Sequence, residues 1–305
     1  MLFEFFKVAI CDPFYLRLYA ARGEVAFIRT DLTLHTRYLL GYVRNTPKID
    51  TSVAHIARVY DYWLGGKNHF AADREAGDEA VRAYPDMRMS VRENRAFLKR
   101  SVRYLAGAGI RQFLDIGTGL PSPDNTREVA QEVAPDSRVV YVDNDPIVLA
   151  HARALLIGRP EGATGYLDAD ARDTGTIIAE AGKLLDFGQP VAVMLVAILH
   201  LIPEEDDPYQ VVADLMAAVP SGSYLVVSHV ANDLPRQSAG VNAVAARLSE
   251  VMFQRVTARG QDQVLKLFAG LEIVEPGIVP VQDWRPDSSQ EGARSAMRGG
   301  IGRKP

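Results

Sequence analysis

The chain has one cysteine, Cys11, in 305 residues. That excludes an internal disulfide and a thiolate metal cluster, and it fits a reducing cytoplasm. No apolar run approaches the roughly 18 residues of a bilayer-crossing helix. The opening Met1-Leu2-Phe3-Glu4-Phe5-Phe6-Lys7 carries an acid and a base within its apolar stretch, so a soluble, cytoplasmic protein with no membrane partner is expected. A positive balance is also missing. Lys+Arg 34 against Asp+Glu 38 leaves a formal charge of −4, with pI ≈ 5.9. Without a field that collects phosphates, a small molecule or a protein is a better partner than nucleic acid. The six histidines show neither HxxxH nor HxH spacing, so no metal site is expected. Gly66-Lys67-Asn68 is no P-loop, because the upstream glycine spacing and the Ser/Thr after the lysine are absent. No internal repeat or low-complexity tract appears.

The rest of the composition is that of a globular chain: 48% hydrophobic, 24% charged, mean hydropathy −0.04. The length suits one α/β domain with an added segment. Residues 1–50 form an N-terminal extension in which Met1 to Pro47 has weak periodicity and no clear caps. This stretch is expected to be a poorly ordered arm, or to come from a start site placed too far upstream. Residues 51–110 read as a helical lead-in or cap, 111–286 as the ligand-binding domain, and 287–305, rich in Gly, Arg and Ser, as a flexible tail.

In the lead-in, Ser52 is a plausible N-cap, and Val53, Ile56, Ala57, Tyr60 and Leu64 follow at helical spacing before Gly65-Gly66. Ala71 to Ala83 and Arg88 to Leu105 repeat the pattern, the latter with Val91, Phe97, Leu98, Val102 and Leu105 as its stripe. Strands and helices then alternate. Gln112 to Ile116, Arg138 to Val142, Ala163 to Leu167, Pro190 to Ala197 and Ser223 to Ser228 are the expected strands. Helices are expected at Pro123 to Val133, Pro146 to Ile157, Thr174 to Leu185, Tyr209 to Val219 and Ala239 to Thr257. Two short strands follow within Gly270 to Trp284, separated by Pro276-Gly277. Strands apolar throughout and alternating with helices predict a parallel sheet covered on both faces.

Open sheets of this kind bind ligands beyond the carboxyl ends of their strands, where strand order reverses. There the sequence reads Asp115-Ile116-Gly117-Thr118-Gly119-Leu120-Pro121. Gly117 and Gly119 permit a tight turn and close backbone approach, and Pro121, Pro123 and Asp124 are expected to start the next helix. Ser122 stands where G-x-G-x-x-G needs its third glycine, which weakens a dinucleotide reading. The next strand ends in Asp143-Asn144-Asp145, and Asp143 suits the adjacent hydroxyls of a ribose. The third ends in Asp168-Ala169-Asp170-Ala171, where Asp170 suits an adenine amino group, with Asp168 and Asp173 as competitors. Asp143 and Asp145 are also possible caps for the following helix, and Asp115 a possible partner for a nearby arginine. Acids at the ends of three strands repel a pyrophosphate and welcome a ligand carrying an ammonium and a sulfonium, which favours S-adenosylmethionine (SAM) over NAD.

Asp115-x-Gly117-x-Gly119, Val142-Asp143 and Asp170-Ala171 resemble motifs I, II and III of class I methyltransferases. More narrowly, the run from Ile56 to Asn68, then Phe113 to Asn125, Glu275-Pro276-Gly277 and Trp284-Arg285-Pro286 resemble an actinobacterial family of SAM-dependent methyltransferases once catalogued as a domain of unknown function. The resemblance spans about Asp50 to Pro286. It implies an α/β Rossmann-like sheet of seven strands, the last antiparallel, with SAM as cofactor. It further implies that Asp115 faces the methionine end of SAM, and that Asp115, Gly117, Gly119, Asp143, Asn144, Asp170 and Ala171 bind the cofactor. Leu120-Pro121 departs from the third glycine of motif I, and the acceptor is undefined.

His200, just past the fourth strand, and His229, ending the fifth with Asp233 nearby, are candidate general bases, with backbone-satisfied histidines as the alternative. Tyr60, Tyr62, Trp63 and Lys67 are expected in packing rather than over the cofactor, and the acids of Pro203 to Pro208 in a solvated loop. A methyltransferase acting on a small-molecule oxygen, nitrogen or carbon is the expected function. A non-catalytic SAM- or nucleotide-binding sensor would bind SAM without making S-adenosylhomocysteine (SAH), and an NAD-dependent oxidoreductase would bind NADH instead.

Overall fold

The computed structural model describes residues 7–12, 15–19, 25–29, 50–149, 162–234, 238–252, 255–287 and 295–305. The chain divides into two units, Met1–Ile49 and Asp50–Pro305. In the first, β1 (Lys7–Asp12), β2 (Tyr15–Tyr19) and β3 (Val25–Arg29) form an antiparallel sheet in chain order. Lys7 lies opposite Tyr19, and Tyr15 opposite Arg29. The sequence had suggested an arm without regular structure there.

The second unit opens with three helices, α1 (Ile56–Leu64), α2 (Ala71–Ala83) and α3 (Met87–Gly107). His55, rather than Ser52, caps α1: its side chain accepts the Ala57 N–H, while Ser52 bonds locally to Asp50. Gly65 ends α1 in the left-handed region, at φ 82°. The stripe expected on α3 is buried throughout.

The main sheet contains β4 (Gln112–Ile116), β5 (Arg138–Asp143), β6 (Thr164–Asp168), β7 (Ala192–Val196), β8 (Tyr224–Val230), β9 (Glu272–Ile273), β10 (Val279–Pro280) and β11 (Met297–Arg303). Seven of these follow the order β10-β11-β8-β7-β4-β5-β6, and β9 pairs with β11 off that path. Strands β4 to β8 pair in parallel, whereas β11 runs antiparallel to β8. The helices α4 (Thr126–Val133), α5 (Thr174–Ala181), α6 (Pro208–Ala217), α7 (Ser238–Val251) and α8 (Gln261–Lys266) complete the unit. Residues 146–149 begin a further helix, and the rest of the one expected to Ile157 lies outside the described residues. Successive strand residues point to opposite faces, so Leu114, Val140, Val193 and Leu225 enter one core while Phe113, Val139, Ala192 and Val226 enter another. This double burial makes the central strands apolar on both sides.

The expected tail requires correction. Met297 to Gly302 are buried, and the strand they belong to pairs along its length with β8. A Cβ on Gly299 would stand 2.9 Å from the Phe97 ring and 3.0 Å from the Val227 carbonyl, and one on Gly302 would stand 2.8 Å from Phe268. The glycines there are a packing requirement, because larger residues would push β11 off its neighbours.

Candidate functional site

Strand order reverses between β4 and β7, so the carboxyl ends of β4, β5 and β6 open on one edge. A cavity of about 430 Å³ lies at that edge, within the roughly 300–1,000 Å³ of small-molecule sites. All seven residues expected to bind the cofactor line it: Asp115, Gly117, Gly119, Asp143, Asn144, Asp170 and Ala171.

The turn after β4 is held from the neighbouring strand. The N–H groups of Gly117 and Thr118 donate to the Val142 carbonyl at 2.8 and 3.3 Å. Gly117 has φ 75°, and a Cβ there would stand 2.6 Å from the Ile198 side chain. Gly119 has φ 65°, and a Cβ would meet nothing within 4 Å, so its backbone is bare where a ligand approaches. The next helix starts at Thr126, later than expected. Asp124 takes the left-handed conformation, at φ 58°, and Asn125 caps the helix by accepting the Glu128 N–H.

Asp143 accepts from the Gly119 N–H at 2.8 Å through Oδ2 and from the Asp145 N–H at 2.9 Å through Oδ1. Burial raises its carboxyl above the usual value, against the pull of those two donors. Asp115 is 4% exposed, and its Oδ2 accepts from Thr126 Oγ1 at 2.6 Å. Burial pushes its pKa up to about 6. Asp170 is held low by hydrogen bonds from Arg172, whose Nε reaches Oδ1 at 2.8 Å and whose Nη2 reaches Oδ2 at 2.7 Å. Arg172 also bonds Asp206 at 2.7 Å, and Glu204 bonds Arg259 at 2.8 Å. With Glu205 paired to Arg255, the loop expected to be merely solvated therefore holds three arginines.

The two candidate bases are not brought to the cavity. His200 is 6% exposed and His229 fully buried, their rings meeting edge to face at 5.7 Å. His229 Nδ1 donates to the Val230 carbonyl at 2.8 Å, and Nε2 accepts from Arg259 Nη1 at 2.8 Å, so both ring nitrogens are taken. Burial first, then neighbouring charge, lowers the pKa of His200 to about 4 and that of His229 well below its ordinary value. Both imidazoles are neutral core groups, and Asp233 pairs with Arg298 at 2.6 Å instead of with His229.

The lead-in supplies wall residues that the pattern reading did not assign. Tyr60 lines the cavity as well as packing, and its hydroxyl receives Asn94 Nδ2 at 2.9 Å. Asn94 is 1% exposed, and its Oδ1 accepts from Ser228 Oγ at 2.6 Å. A polar residue on the apolar stripe of α3 was the available signal, since a buried amide needs partners. Tyr62 bonds Asp78 and Trp63 bonds the Gly77 carbonyl, and neither they nor Lys67 line the cavity. Gly66 is more than a helix stop: a Cβ there would overlap the Asp61 carboxylate, which caps the Asn68 N–H at 2.9 Å.

The donor set fits SAM: open backbone at Gly119 and carboxylates at Asp115 and Asp143 line one cavity. Among the described residues no group of His, Cys, Asp or Glu is arranged to hold a metal ion, and no helix is long and apolar enough to cross a membrane.

The family described as S-adenosyl methyltransferase matches residues 43–305. A DUF574 family protein from Streptomyces avermitilis is similar in structure at TM-score 0.81 and 45% identity, covering 85% of this chain and 100% of that one. A candidate methyltransferase from Thermobifida fusca is similar at TM-score 0.77 and 42% identity, covering 85% of this chain and 97% of its own. No protein of curated function matches this chain. The match reaches Pro305, in agreement with the place of β11 in the sheet, and the chain belongs to the S-adenosyl methyltransferase family, as a SAM-dependent methyltransferase of class I fold.

Proposed function

We propose that the protein transfers the SAM methyl group by direct displacement to a small-molecule oxygen, nitrogen or carbon, in the cytoplasm of an actinobacterium. One observation carries this reading. The edge bearing Asp115, Gly119 and Asp143 and a wall of Tyr60, Asn94, Val196 and Ile198 enclose a single cavity. The cofactor supplies an electrophilic methyl on a sulfonium. Asp143 accepts hydrogen bonds from the ribose hydroxyls with the lone pairs left free by Gly119 and Asp145. Asp115 takes the ammonium, and Asp170, with Asn144 and Ala171 beside it, takes the adenine edge. The apolar wall excludes water and orients the acceptor in line, and that positioning supplies most of the catalysis a good nucleophile needs. Neither buried histidine takes a proton. Incubation with SAM and fractionated small-molecule extracts tests the reading: SAH should accumulate with a newly methylated compound, and tight SAM binding without SAH release across the fractions would favour a sensor.

A further inference from the structure

Arg95 lies on α3 and lines the cavity. Among the described residues its guanidinium has two contacts, from Nη2 to the carbonyl oxygens of Pro123 at 3.5 Å and Asp124 at 3.4 Å. Both exceed the roughly 2.7–3.2 Å of a good N–H···O bond. Among the described residues no carboxylate pairs with it, although other arginines around the fold are matched: Arg259 to Glu204 at 2.8 Å, Arg298 to Asp233 at 2.6 Å, Arg172 to Asp170 and Asp206 at 2.7 Å. Lys99, one turn along the same helix, holds the Asp124 carboxylate at 2.9 Å, so that acid is engaged elsewhere. The Arg95 charge nevertheless reaches Asp115 and Tyr60, where it favours the ionised forms. Among the described residues Asp115 accepts one side-chain hydrogen bond, at Oδ2 from Thr126. A cation and a buried acid, neither paired with an opposite charge among the described residues, thus line one cavity.

We propose that Arg95 receives the α-carboxylate of the cofactor and forms, with Asp115, a clamp for its zwitterionic amino-acid head. The inference rests on the cofactor reading of this cavity and adds a residue to it. Ammonium and carboxylate sit on one carbon, so their receptors must be neighbours, and Arg95 and Asp115 meet the same short segment, Arg95 at Pro123 and Asp124 and Asp115 at Thr126. A planar guanidinium suits a carboxylate because two parallel N–H donors meet its two oxygens, a geometry lysine cannot reproduce. A carboxylate on the acceptor would offer the same chemistry, and the ligands below separate the two sources.

Calorimetric titration compares wild type, Arg95→Gln and Arg95→Lys, each shown by thermal melting to be folded, against SAH and a decarboxylated SAH that keeps the amine. Arg95→Gln should weaken SAH by roughly 10- to 100-fold and Arg95→Lys by less, while the decarboxylated ligand binds wild type and Arg95→Gln alike. Unchanged SAH affinity in Arg95→Gln would overturn the clamp and leave Arg95 to an acceptor carboxylate. Equal weakening of both ligands would overturn it too, by showing that Arg95 only steadies the Pro123–Asp124 turn. A wild type that binds neither ligand would bring down the cofactor reading and the clamp with it.

Discussion

Asp115 shows how burial stores a penalty that a ligand can relieve. Its pKa of about 6 lies above the ordinary carboxylate value, so the folded, ligand-free protein holds this proton to higher pH than the unfolded chain does. The resulting stability is fully present below about pH 4 and is lost as pH rises to about 6, by about 3 kcal/mol at 1.36 kcal/mol per unit. Binding has the opposite sign, since only the ionised acid holds an ammonium. SAH affinity should rise between about pH 5 and pH 7 and then level off. Asp143 is also raised by burial and adds in the same direction, so titration of Asp115→Asn over the same range isolates the Asp115 share. A wild-type affinity flat across the range would contradict this account of Asp115.

His229 illustrates a different lesson, because its place near the end of β8 was legible while its direction was not, and His200, in a 3-10 turn just past β7, packs against it in the same buried place. Neighbouring strand residues face opposite ways, and in β8 Ser228 reaches Asn94 at the cavity wall while His229 turns to Arg259. One residue of parity separates a site group from a core group, and no charge or motif marked which was which. His200→Ala should therefore lower the free energy of unfolding by about 1–3 kcal/mol, through lost packing, and leave SAH affinity unchanged. Denaturant titration and calorimetry check the two halves, and a variant of native stability that loses turnover would restore His200 to catalysis.

At the scale of the element, strands β4, β5, β7 and β8 were readable from sequence because each carries apolar residues on both faces, and edge strand β6 because it continues the alternation of strands and helices. Their acid-bearing ends were readable for the same reason, since parallel strands open on one edge. Strand β11 escaped because its sequence, Met-Arg-Gly-Gly-Ile-Gly-Arg, achieves burial through small residues set against Phe97 and Phe268 rather than through apolar bulk. Two glycine substitutions discriminate a packed strand from a tail. Gly299→Ala should cost about 1–3 kcal/mol of stability by overpacking. Gly107→Ala, at the end of α3 where an added Cβ meets nothing within 4 Å, should be neutral or slightly stabilising. Equal denaturation midpoints for the two variants would refute the packing argument.

At the scale of the whole molecule, the residues expected to bind the cofactor, helices α1 to α3 and the main sheet all fall in the unit Asp50–Pro305, which also contains most of the family match at residues 43–305. Deletion of residues 1–49 should leave a cooperative melting transition and SAH binding intact, and loss of cooperative melting would show that the second unit does not fold alone. The central claim, that this unit binds SAM through the strand-end acids, is tested most directly by titrating SAM and SAH into wild type and Asp143→Ala. Circular dichroism first establishes that both are folded. Wild type should bind both ligands, and the variant should bind each roughly 10- to 100-fold more weakly through loss of the ribose bonds and of the Gly119 anchor. Binding of neither ligand to folded wild type, or undiminished affinity in Asp143→Ala, would contradict it.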